Sequence, residues 1–178
     1  MDMLQTLTDL IDMRSFSNLW YWIALAVTWS SASRWVIGVP WDMVIRARRR
    51  GGVAAEQLHT LMQLNVARYL LVAREGGLAA TALGSFLMTV LLLLGFAYQV
   101  EFCQALSFIA VPMTLVAWLS LRVAQHYEAA LTEGVPSTEV LIHVLSRHRL
   151  HVQLVGIVAL TITAFWGMVQ NLNISILN

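Results

Sequence analysis

Charged positions cut this chain into long greasy stretches before any other property divides it. Residues free of Asp, Glu, Lys and Arg run over 15–33, 35–41, 76–100, 102–121 and 150–178. A bilayer-spanning helix needs about 20 predominantly apolar residues. Joining the first two stretches across Arg34 predicts four spans, at about 16–38, 77–98, 102–122 and 151–172. In hydrocarbon an unpaired backbone amide costs several kcal/mol, so such segments are expected to be helices that satisfy their own peptide groups. The fold class expected is an all-α membrane protein, a four-helix transmembrane bundle occupying 1–178 as one domain.

The connections have patterns of their own. Between Gly52 and Glu75 the residues Leu58, Leu61, Met62, Tyr69 and Val72 share a face, opposite Glu56, Thr60, Gln63 and Arg74. This predicts an amphipathic cytoplasmic helix between spans one and two, over about 53–74, lying on the membrane surface or docking on a partner. Asn65 interrupts the apolar face and is expected to be satisfied locally. Trp20, Tyr21 and Trp22 precede span one and Trp35 and Trp41 follow it. Trp20 and Trp41 would lie about 31 Å apart at the helical rise, the thickness of the hydrocarbon layer. Gly38 and Pro40 are expected to end or bend that helix, and Pro112 to kink span three. The Tyr98 to Glu101 region predicts a tight hairpin between spans two and three. Gly134, Pro136 and Ser137 predict a helix stop followed by an N-cap, from which one helix runs on into span four.

Composition supports lipid as the solvent: 58% of residues are hydrophobic and 12% charged, about half the charged share of a soluble domain. A formal charge of +1 argues against nucleic acid as a partner. All eleven basic residues are Arg. Arg46, Arg48, Arg49, Arg50, Arg68 and Arg74 fall between spans one and two, and Arg122, Arg147 and Arg149 flank the connection of spans three and four. The positive-inside rule makes both regions cytoplasmic and the Glu101 turn and both termini periplasmic, in a bacterial inner membrane. Met1 to Met13 carries Asp2, Asp9 and Asp12 and no basic residue, unlike a cleavable signal peptide, and Leu4, Leu7 and Ile11 suggest a short interfacial helix.

Candidate chemistry is sparse. His126, His143, His148 and His151 are the metal-ligand candidates, with His148 and His151 spaced to share a helix face. The ordinary alternative is four hydrogen-bonded side chains at a membrane edge. Arg34, beside Ser30, Ser31 and Ser33, and the Arg46, Arg48, Arg49, Arg50 cluster are candidates for anionic lipid headgroups, each worth about 1 kcal/mol near such a surface; fixing orientation is their simpler role. Cys103 stands alone and reads as a small buried apolar residue. Small residues repeat every fourth position at Ala24, Thr28 and Ala32, at Ala80 and Gly84, and at Ala159, Thr163 and Gly167, either packing the bundle or forming faces for another protein. The centres of spans two to four hold no ionisable side chain, which disfavours coupled transport. No cofactor motif is present in the sequence.

The run Ile11-Asp12-Met13-Arg14-Ser15-Phe16-Ser17-Asn18-Leu19-Trp20-Tyr21-Trp22, with Trp35-Val36-Ile37-Gly38-Val39-Pro40 after it, resembles the start of a Rhodobacter-type alphaproteobacterial integral membrane protein family. Members are sometimes labelled components of the iron–sulfur assembly (Suf, SufBCD) complex. The resemblance covers about residues 10–45 and implies an inner-membrane protein without an established activity. The residues themselves give cluster assembly no chemistry, since one cysteine holds no cluster and no ATP-binding motif occurs. The function expected is a non-enzymatic accessory, assembly or scaffold subunit of an inner-membrane complex, its partners being anionic lipid and another membrane protein or further copies of itself. A small channel or oligomeric transporter is the alternative, and a metal-binding membrane enzyme the second.

Overall fold

A computed structural model describes Phe16 and residues 18–177 of the chain. The expected interfacial helix of the first 13 residues lies outside the described residues. Helix α1 covers Leu19–Arg34, and a two-stranded hairpin of β1 (Trp35–Val36) and β2 (Val39–Pro40) follows. Helix α2 then covers Trp41–Arg50, α3 Gly52–Leu92, α4 Glu101–Glu133 and α5 Thr138–Leu177. Apart from residues 35–40, the described apolar stretches fold mainly as helices, and α3, α4 and α5 are each long and apolar enough to cross a membrane.

Span one departs from its expected form. Asn18 caps α1, its Oδ1 accepting from the Trp20 amide at 2.9 Å, but the helix stops at Arg34 after 16 residues. At about 1.5 Å per residue it is about 24 Å long, short of a full hydrocarbon layer. Residues 35–40 are not its last turn. Trp35 pairs with Pro40 and Val36 with Val39, and Ile37 and Gly38 turn the chain at φ +53° and +72°. Two successive positive φ values are what a tight two-residue hairpin requires. A β-branched residue is strained there, and burial of the Ile37 side chain offsets that strain. The spacing of Trp20 from Trp41 therefore does not follow a helical rise.

The amphipathic segment is not a separate helix either. It is the first half of α3, which runs unbroken through residues 53–74 into the apolar stretch and ends in a π-helical turn at Leu93–Ala97. Its apolar face was legible, but what covers that face is protein. Leu58, Met62, Val66 and Leu70 are buried in a core with Val44 and Ala47 of α2, Ala124 and Tyr127 of α4, Leu141 and Leu145 of α5, and the hairpin residues Val36, Ile37 and Val39. Tyr69 and Val72, assigned to the same face, remain exposed.

A second core joins Leu25 and Trp29 of α1 to Val116 of α4 and to Val152 and Ala159 of α5. Helices α1 and α5 lie antiparallel, with Ser33 near Arg149, Trp29 against Gly156 and Phe16 against Gly167. Thr163 and Gly167 are buried with Ala159, so this small-residue stripe packs the bundle internally. At the far end, α3 and α4 meet where a Cβ on Gly95 would stand 3.0 Å from the Gln104 amide nitrogen. Helix α5 begins after Ser137, whose Oγ accepts from the Val140 amide at 3.4 Å, and continues without a break to Leu177.

Candidate functional site

Helix α2 and the helix ends around it concentrate the charge. Its inner residues Val44 and Ala47 are buried, which leaves Arg46, Arg48, Arg49 and Arg50 exposed on the outer side. Arg46 pairs with Asp42 one turn earlier at 3.0 Å, an exposed pair of little energetic weight. Gly51, at φ +58°, ends the helix and returns its amide to the Ala47 carbonyl at 3.0 Å. The platform is fastened from below by Arg149, whose Nε donates to the Ser33 carbonyl at 3.2 Å while its guanidinium stacks 4.3 Å from the centre of the Trp41 ring. Arg34 is exposed at the end of α1.

Between α2 and the start of α5 lies a polar cavity of about 630 Å³, lined by Arg48, Gly51, Thr138, Glu139, His143 and Ser146 among others. Beside it the His59 Nε2 lies 3.2 Å from the Thr138 Oγ1, joining the starts of α3 and α5. Burial lowers the pKa of His59. His59 was not among the histidines singled out by spacing, because its contact is with a residue 79 positions away.

The four metal-ligand candidates do not come together. His126, His143 and His151 are exposed, His148 is buried, and among the described residues no group of three or more His, Cys, Asp or Glu side chains could hold a metal ion. The i, i+3 spacing of His148 and His151 turns one inward and the other outward, since three residues advance a helix by less than a full turn. His148 sits on the boundary of the two cores, after Leu145 of one and before Val152 of the other. Its Nε2 meets the Ser120 Oγ at 3.1 Å, while Nδ1 is buried with no partner among the described residues. Burial first, and the nearby His151 second, lower its pKa. Neutral imidazole is the form this position selects.

A polar knot that sequence spacing did not reveal ties the opposite end. Gln104 is 1% exposed; its Nε2 donates to the Gly95 carbonyl at 2.8 Å, and its Oε1 accepts from Trp166 Nε1 at 3.1 Å and Gln170 Nε2 at 3.0 Å. Phe16 with Phe108, Phe96 with Phe108 and Phe96 with Trp166 pack edge to face beside it, and Phe108 meets Trp166 at a tilt. A lone amide within an apolar span was the available signal, because such groups are costly in lipid unless another helix satisfies them.

The middle of α3 differs from everything around it. From Leu78 to Leu87, ten successive residues are exposed on every side of the helix, Leu78 at 89%. Ala80 and Gly84 lie on this stretch, and among the described residues no atom of another element lies within 4 Å of where a Gly84 Cβ would be. The hydroxyls there turn back on their own helix, Ser85 to the Ala82 carbonyl and Thr89 to the Ser85 carbonyl. Comparison with known proteins finds no matching family model, no similar curated protein and no similar solved structure.

Proposed function

We propose that the chain is a non-enzymatic accessory, assembly or scaffold subunit of a bacterial inner-membrane complex, and that the exposed middle of α3 receives a helix of another membrane protein. The observation that carries this reading is the run from Leu78 to Leu87, a span held at both ends and left exposed by the described residues of its own bundle. It is fixed at one end by Leu70 in the core and at the other by Gly95 against α4. Lipid tails are as apolar as leucine, so helices associate in a bilayer through close packing and not through hydrophobic burial. The Ala80 and Gly84 spacing allows such an approach.

The same reading has the chain cross the membrane four times, with α1 in the first crossing and both termini periplasmic. Its support is the gathering of Arg48, Arg49 and Arg50 with Arg122, Arg147 and Arg149 at one end of the bundle and of the Gln104 aromatic knot at the other. Gln104 and Arg122 are about 27 Å apart along α4, close to the hydrocarbon thickness. The core around Leu58 and Leu145 then lies in the cytoplasm, and α2 offers its arginines to anionic lipid or to an acidic partner surface.

Gly84→Trp tests the proposal, because a Cβ at Gly84 meets no atom of the described residues within 4 Å and the larger side chain starts from open space. The variant is expected to fold and insert normally, and to lose a stoichiometric partner that the parent chain retains through affinity purification in mild detergent. Recovery of the parent chain alone, as monomer or homo-oligomer, contradicts the proposal, and so does a partner retained equally by the variant.

A further inference from the structure

We propose a specific binding site for one anionic phospholipid between α4 and α5, with an acyl chain in an apolar groove and the phosphate on Arg122 and Arg147. The groove has a volume of about 570 Å³ and is lined by Phe108, Pro112 and Leu115 of α4, Leu154 and Val158 of α5, and Phe96 from the end of α3, among other apolar side chains. Pro112 has no amide hydrogen to give the Phe108 carbonyl, and both residues line the groove. A slot this apolar takes a hydrocarbon chain more readily than water or a polar metabolite.

What selects a charged lipid is the continuation of the same two helix faces. On α4, Phe108, Leu115 and Arg122 recur every seven residues; on α5, Val158, Leu154, His151 and Arg147 recur every three or four. Each set therefore lines one side of its helix. The register between the helices is fixed by Ser120 and His148, 3.1 Å apart. Arg122 lies two residues beyond Ser120 and Arg147 one before His148, so on antiparallel helices both arginines stand at nearly the same height, about 10 Å from the groove's Leu115. Both are exposed. The Arg122 guanidinium lies 3.9 Å from the centre of the Trp118 ring, one helical turn earlier on the groove side of Arg122 along α4, which holds this charge against its own helix. Basic pockets between transmembrane helices on the cytoplasmic side are suited to phosphate headgroups, and arginine suits their oxygens geometrically.

The inference rests on the membrane placement given above and not on the partner of α3. It is tested by native mass spectrometry of the full chain purified in detergent and titrated with dioleoylphosphatidylglycerol or dioleoylphosphatidylcholine. One phosphatidylglycerol per chain is expected to be retained at concentrations where phosphatidylcholine is lost. Arg122→Gln and Arg147→Gln are each expected to weaken that retention about fivefold. Val158→Trp, at an exposed lining position, is expected to fill the slot and reduce retention of either lipid. Equal retention of the two lipids, unchanged retention in the double arginine variant, or unchanged retention in Val158→Trp each overturns the site. A chain that needs no detergent at all overturns the membrane placement instead, so the two failures are distinguishable.

Discussion

A single amide and a single imidazole show what burial asks of polar residues here. Gln104 serves four partners at once, and replacing it with Leu removes the acceptor of Trp166 and Gln170 and the donor to the Gly95 carbonyl and Gln99 Oε1. In Gln104→Leu the expected loss is about 1–3 kcal/mol of stability, read by unfolding in detergent. His148 acts through protonation. Its folded pKa lies below the 6.5 usual for histidine, so as pH falls the unfolded chain takes up the proton first. Stability is then full above that value, declines as pH drops through it, and levels off below the folded pKa. His59 shifts in the same direction. A thermal melt series from pH 8 to pH 5 is expected to show a decline that His148→Gln reduces and His59→Gln with His148→Gln reduces further. An unchanged slope in both would contradict this. Neither residue's role was legible in the sequence, because spacing reports which residues share a helix and not which helix faces them. Of four histidines near each other in sequence, three are exposed and His148 is buried, while His59 finds Thr138 from far away.

At the scale of elements, most of the chain was readable where a periodic pattern met a clear stop. Ser137 marks the start of α5, and the apolar stretches became helices. The reading failed where the same pattern admits two coverings. Leu58 and Met62 look alike whether lipid or protein lies over them, so a segment expected on the membrane surface proved to be half of α3, packed against α2, α4 and α5. The hairpin at Trp35–Pro40 was hidden for another reason: six apolar residues continue a span as naturally as they form two short strands, and only the Ile37 and Gly38 dihedrals separate the cases. Glycines separate contact from open space with equal sharpness. A Cβ on Gly156 would stand 2.8 Å from the Trp29 ring, whereas one on Gly84 meets nothing. Gly156→Ala should therefore cost about 1–3 kcal/mol by forcing α1 from α5. Gly84→Ala should leave the melting temperature unchanged or raise it slightly. Melting both variants beside the parent checks the packing of α1 and the exposure of α3 together.

For the whole molecule, α3, α4 and α5 each continue unbroken between an apolar stretch long enough to cross a membrane and a packed, charge-bearing end. Under the proposed function, the exposed run Leu78–Leu87 is where a partner helix would pack, and the arginines of α2 would meet an anionic surface. Everything in this account depends on the two ends of the bundle facing opposite sides of a bilayer. Membrane-impermeant thiol labelling in intact cells tests it most directly, using single-cysteine variants Arg49→Cys and Gln99→Cys in a Cys103→Ala background. Labelling of Gln99→Cys in intact cells, with Arg49→Cys labelled only after the membrane is opened, is the predicted result. Labelling of both variants from the same side in intact cells would contradict the account.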